Sequence, residues 1–168
     1  MEICFSFDTT GSMSSCIAQV KGRVQDLIQR LQADIPGIRM AVVAHGDYCD
    51  THTYITKHID FSTNVGELCD WVKNVGGTSG GDGDECYELV LQEVQSLSWT
   101  PGSRRALVMI GDADPHEPGY TYGGKTYNID WRDEVYKLIL MVSIDITLFF
   151  LFSNKIYSRQ DIYIVSTL

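Results

Sequence analysis

Apolar residues along this chain follow two rhythms in turn. The first stretch, through Phe5-Ser6-Phe7, reads as a buried strand that stops at Asp8. Ile17, Val20, Val24, Leu27, Ile28 and Leu31 then recur at steps of three and four with polar residues between them, which predicts an amphipathic helix ended by Pro36-Gly37. Ile38 to Ala44 is a continuous apolar run broken only by Arg39, as in a strand covered on both faces. Thr51 to Ile59 alternates and reads as a hairpin or edge strand, and Val65, Leu68, Cys69 and Val72 mark a short helix. A Gly-rich stretch over 76–83 opens a further helix carried by Cys86, Leu89, Val90, Val94 and Leu97 and closed by Trp99 to Gly102. Ala106 to Ile110 is the next buried strand. About 15 loop residues follow, a length at which loops are usually functional, before Asp130 caps a helix through Val135, Leu138 and Ile139. Ile144 to Phe152 is the last clear strand. Strands alternating with helices, without an internal repeat, predict a doubly wound α/β fold with a mostly parallel central sheet and helices on both faces.

Length and charge narrow the function. The 168 residues suit a single domain over 1–168. A net charge of −9 argues against nucleic acid and anionic membrane, both of which are bound through Lys and Arg clusters. The five cysteines are odd in number and contain no CxxC pair, so neither a zinc knuckle nor a disulfide framework is expected, and a reducing compartment fits. No basic segment followed by an apolar one stands at the N-terminus, so the expected location is intracellular. The apolar run Leu138 to Phe152 is interrupted by Ser143, Asp145 and Thr147 and falls short of the roughly 20 residues of a spanning helix.

Three acidic loops carry the candidate chemistry. Asp8, Thr10 and Ser12 form Asp-x-Thr-x-Ser at a strand end, where open α/β sheets collect ligands. Their spacing offers three hard oxygen donors to a small cation such as Mg²⁺. The other two loops are Gly80-Gly81-Asp82-Gly83-Asp84-Glu85 and Ile110-Gly111-Asp112-Ala113-Asp114-Pro115, and together the three outline one polar site.

These residues resemble the von Willebrand factor A domain and its metal-ion-dependent adhesion site, whose motif is Asp-x-Ser/Thr-x-Ser after the first strand, a Thr in a Gly-rich loop and an Asp after the fourth strand. Asp8, Thr10 and Ser12 match the first element and Asp112 the third. The Asp-Thr-Thr-Gly-Ser-Met, Gly-Gly-Asp-Gly-x-Glu and Gly-Asp-Ala-x-Pro-His segments are most similar to intracellular members, including those joined to alpha-kinases. The second element departs from the pattern: its ligand is Thr78 or Asp82. Asp82 is preferred, because a Thr78 ligand would start the helix within Gly80-Gly81, where glycine costs about 1 kcal/mol per position, whereas a start near Gly83 with Asp82 at or next to its cap keeps the apolar stripe intact. The resemblance implies a non-catalytic protein-interaction domain. It would hold Mg²⁺ or Mn²⁺ with Asp8, Thr10, Ser12, Asp82 and Asp112, with one position open for an acidic residue of a partner. The family's further C-terminal helix has no counterpart in residues 154–168, so the C-terminus reads as truncated or divergent.

Competing readings apply to several residues. Asp-Thr-Thr-Gly-Ser also resembles the Asp-Lys-Thr-Gly-Thr loop of P-type ATPases and haloacid-dehalogenase-like phosphatases, which would make Asp8 a nucleophile toward phosphorus. Thr9 stands where that motif has its lysine. Helix capping alone would explain one of Asp8, Thr10 and Ser12, not all three. Asp47, after His45-Gly46, would either hold its loop or reach the ion through water. His45, His52, His58 and His116 match no zinc signature and are expected to be structural or exposed. Tyr120, Tyr122 and Tyr127 would form either a partner-binding rim or packing over their own loop. Asp84 and Glu85 are expected in the first turn of a helix.

Overall fold

The computed structural model describes residues 1–141 and the backbone of residues 147–151 and 162–164. Among the described residues six strands form the central sheet: β1 (Glu2–Asp8), β2 (Arg39–His45), β3 (Thr56–Ser62), β5 (Arg105–Ile110), β9 (Thr147–Leu151) and β10 (Ile162–Ile164). Their order is β10-β9-β5-β1-β2-β3, with β3 antiparallel to β2 and every other neighbouring pair parallel. The chain thus runs outward from β1 through β2 to β3, then crosses back to β5 and runs outward the other way. Between β1 and β5 the winding reverses, the place where open α/β sheets collect ligands at the carboxyl ends of their strands.

Among the described residues four helices flank the sheet: α1 (Ile17–Asp34), α2 (Val65–Asn74), α3 (Tyr87–Val94) and α4 (Trp131–Met141). The two-residue period of a strand sends successive side chains to opposite faces. Ile3, Phe5 and Phe7 of β1, with Met40, Val42 and Ala44 of β2, pack with Val24 and Ile28 of α1 and Leu68 and Val72 of α2. Cys4, Ala41, Val43, Leu107 and Met109 pack on the other face with Val90, Leu91 and Val94 of α3 and Val135 and Leu138 of α4. The result is a mixed, mostly parallel α/β sheet with helices on both faces, a generic Rossmann-like architecture. Arg39, the one charge in its apolar run, sits at the start of β2 and pairs with Glu2, whose carboxylate also accepts hydrogen bonds from Thr100 and Ser103.

Some expected boundaries move. Residues 47–53 are a turn, held by the Asp47 amide on Asp50 Oδ2 (2.9 Å) and the Thr53 amide on the Asp50 carbonyl (2.9 Å), so the edge strand starts at Thr56 rather than Thr51. Asp84 and Glu85 are not in a first helical turn. They form a short strand β4 (Asp84–Glu85) parallel to β6 (Asp114–Pro115), and α3 starts at Tyr87, so Asp82 caps no helix. Burial decides this: Glu85 is 4% exposed, and extended backbone turns its carboxyl inward. The long loop contains a hairpin, β7 (Tyr120–Tyr122) and β8 (Lys125–Tyr127). Its turn residues Gly123 and Gly124 have φ of 58° and 77°, a pair of left-handed conformations that suits glycine. Asp130 does cap α4, accepting from the Arg132 amide at 2.9 Å. Residues 144–146 and Phe152, the ends of the last strand expected from sequence, lie outside the described residues.

Candidate metal centre

Asp8 ends β1 beside the β1/β5 reversal and is fully buried. Its Oδ1 accepts from both the amide and the hydroxyl of Thr10, each at 2.7 Å. The Thr10 and Ser12 hydroxyls are 3.1 Å apart, and Ser12 donates to Asp112 Oδ1 at 2.9 Å. Four of the five expected site residues therefore form one continuous chain of oxygens. This is local geometry made possible by the fold: a 3₁₀ turn over Gly11–Ser15 swings Ser12 back over the strand end, and the β1–β5 register brings Asp112 beside it. Asp8 Oδ2 accepts from Tyr87 of α3 at 3.2 Å.

The fifth expected residue, Asp82, points its contacts elsewhere. Its carboxylate accepts from the Tyr120 hydroxyl at 3.0 Å. Its loop rival Thr78 faces Thr9 Oγ1 at 3.2 Å, and Thr9 in turn donates to the His45 carbonyl. Among the described hydrogen bonds, neither joins the Asp8–Asp112 chain. The acidic group that does approach it is Glu85, which meets the Thr10 hydroxyl. Burial, then the charges of Asp8 and Asp47, push the Glu85 carboxyl up to about 9.

Asp82 belongs to a second constellation with Asp47 and His116, whose donor atoms lie within 4.8 Å of one another. Asp47 follows β2 and is fully buried; His116 follows β6 and is 2% exposed; Asp82 is exposed. His116 Nε2 lies 2.7 Å from Asp47 Oδ1, while Asp47 Oδ2 has no hydrogen-bond partner. Burial lowers the His116 pKa, but the hydrogen bond and charge of Asp47 outweigh it and raise the imidazole above its ordinary value. The His116 ring stacks on Tyr120 at 3.7 Å between centroids, and Tyr48 stacks on Tyr127 at 3.7 Å. Tyr120 and Tyr127 therefore pack over the loop and this constellation, leaving Tyr122, 42% exposed, as the outward one. The Tyr48 hydroxyl donates to buried Glu88 at 2.6 Å, and Glu88 also accepts from the His116 amide at 3.2 Å.

An Asp-Asp-His set of this kind can coordinate a divalent cation. Sequence spacing does not join Asp47, Asp82 and His116: they sit on segments far apart in the chain, and the histidines match no zinc signature. The place of Asp47 at a strand end is the one local signal. Among the described residues no helix is long and apolar enough to cross a membrane.

No family model matches the chain. It is 26% identical over 122 residues to Alpha-protein kinase vwkA of Dictyostelium discoideum, covering 71% of this chain and 19% of that protein. Among solved structures it is similar to the pilus adhesin SpaC from Lactobacillus rhamnosus GG. In the open conformation the TM-score is 0.58 at 14% identity, over 76% of this chain and 17% of that one. A second form gives 0.66 at 10% identity, over 92% and 25%. The three N-terminal domains of the type V pili tip protein Mfa5 from Porphyromonas gingivalis give 0.52 at 13% identity, over 64% and 19%. The chain thus spans a quarter or less of each of these proteins. The likeness is to a distant VWA- or pilin-adhesin-like fold.

Proposed function

We propose that this chain is a divalent-cation-dependent protein-interaction domain of the von Willebrand factor A type. Thr10 and Ser12 hold Mg²⁺ or Mn²⁺ directly, and Asp8 and Asp112 directly or through water. The observation that carries the reading is the spacing of the oxygens. An octahedral cation with bonds of about 2.0–2.1 Å separates neighbouring donors by about 2.9 Å. The Asp8, Thr10, Ser12 and Asp112 oxygens follow one another at 2.7, 3.1 and 2.9 Å. Rotating the two hydroxyl protons outward would turn this hydrogen-bonded chain into part of a ligand shell. Its position at the β1/β5 reversal, with Ser12 and Asp112 exposed, supports access by a partner. Asp82 stays outside the set on this reading, so two carboxylates balance the dication and leave it able to attract an acidic side chain. The adhesins of similar fold agree with an interaction role. The free thiols of Cys4, Cys16, Cys49, Cys69 and Cys86 agree with an intracellular setting.

The phosphoaspartyl alternative, with Asp8 as nucleophile, is less well supported. Both Asp8 oxygens are engaged, and its hydrogen-bond partners are Thr10 and Tyr87 rather than a lysine. Calorimetry with Mg²⁺ tests the proposal. Asp8→Ala should abolish binding while His116→Ala leaves it intact, and labelled phosphate should form no adduct at Asp8. Unchanged Mg²⁺ binding in Asp8→Ala would sink the reading, and label on Asp8 would favour the phosphotransfer alternative.

A further inference from the structure

We infer that Asp47, Asp82 and His116 form a second cation site, separate from the Asp8 site and selective for a zinc-class ion. Three observations carry this. First, the donors include an imidazole, which suits Zn²⁺ and its neighbours among the transition metals, whereas all-oxygen shells suit Mg²⁺. Second, Asp47 is fully buried and its Oδ2 lacks a hydrogen-bond partner, beside only the weakly donating thiol of Cys49. A buried carboxylate oxygen without a partner is costly, and a cation between Asp47, Asp82 and His116 satisfies it. Third, the arrangement is close to what a tetrahedral ion requires. Bonds of about 2.0–2.1 Å place tetrahedral donors about 3.3 Å apart. The donors already lie within 4.8 Å of one another and the His116–Asp47 pair is at 2.7 Å. Asp82 is exposed and accepts from the Tyr120 hydroxyl, a contact that closing on the ion would retain or exchange for a metal bond.

Binding would put the cation in place of the His116 Nε2–Asp47 hydrogen bond: a neutral imidazole would then carry its proton on Nδ1, and an imidazolium would release one proton to solvent. The ion would also tie together three segments: the loop after β2, the Gly-rich loop, and the residues after β6. Tyr120, stacked on His116 and hydrogen-bonded to Asp82, covers it, so the β7–β8 hairpin would be ordered by the same event. The inference deepens the metal-binding reading without requiring the Asp8 site to bind anything.

Co²⁺ is the probe, because its visible absorption reports coordination number. In excess Mg²⁺, the full chain should bind a single equivalent of Co²⁺ with the intense bands of a four- or five-coordinate site, and Zn²⁺ should displace it. His116→Ala and Asp82→Asn should each weaken Co²⁺ binding by about 100-fold or more. Asp8→Ala should leave it unchanged. Asp82→Asn replaces an exposed side chain, so it remains informative if His116→Ala impairs folding. Co²⁺ binding that survives both His116→Ala and Asp82→Asn, or that is lost in Asp8→Ala, would overturn the second site. Loss of Mg²⁺ binding in Asp8→Ala with Co²⁺ binding retained separates the two proposals.

Discussion

Gly111→Ala tests how the Asp8 carboxylate is held in place. A Cβ at Gly111 would lie 1.8 Å from the Tyr87 hydroxyl oxygen and 2.7 Å from Cζ, far inside any tolerated contact. The Tyr87 ring would have to retreat by about 1 Å or more in a close-packed interior. It has little room: Tyr87 is 1% exposed and packs edge-on against His45 at 4.6 Å. Retreat breaks its 3.2 Å hydrogen bond to Asp8 and disturbs its contact with the Ala113 backbone. Overpacking typically costs about 1–3 kcal/mol, and a hydrogen bond to a charged group about 1.5–3 kcal/mol. The variant should therefore lose about 2.5–6 kcal/mol, against a typical total of about 5–15 kcal/mol. At this chain length that lowers Tm by roughly 5–24 °C. Urea denaturation of wild type, Gly111→Ala, Tyr87→Phe and the double variant forms a cycle. Tyr87→Phe removes the atom met at 1.8 Å and has already given up the bond to Asp8. The Gly111→Ala cost should then shrink in that background, with a coupling of about 1 kcal/mol or more. Additive costs would falsify the account, since Gly111 would then act through something other than the Tyr87 hydroxyl.

Two further tests address parts of the structure away from the metal centre. Burial works to raise the Glu2 pKa, but hydrogen bonds from Ser103, Thr100 and Arg39 outweigh it, and the folded carboxyl sits below its ordinary 4.5. A depressed folded pKa contributes stability above the unfolded value that disappears as pH falls through the folded one. Wild type should therefore lose stability relative to Glu2→Gln on acidification below about pH 4.5, and parallel pH profiles of the denaturation midpoint would refute this. On α1, Ile28 is fully buried and Leu27 is 41% exposed. Ile28→Ala should cost about 2–5 kcal/mol by chemical denaturation and Leu27→Ala about 1 kcal/mol or less, and equal costs would mean the helix presents a different face to the sheet.

The features that the sequence determined by itself are those set by neighbours along the chain. β2 and β5 read as apolar runs because each is covered on both faces, and α1 is visible because its core-facing residues recur every three to four positions. Asp8, Thr10 and Ser12 are legible for the same reason: one tight turn after one strand brings their oxygens together. The cap at Asp130 is equally local. Tertiary structure decided everything that needed distant segments to converge. Spacing offered no means of placing Asp82 beside Asp47 and His116, since their meeting depends on the β2 end, the Gly-rich loop and the β4–β6 pairing. Asp84 and Glu85 carry the charge pattern of a helix start, yet they are extended, because β4–β6 pairing and inward burial of Glu85 are available only in the assembled fold. Local preferences differ by about 1 kcal/mol or less per residue. Burial and pairing across the sheet are larger, so they prevail wherever the two disagree.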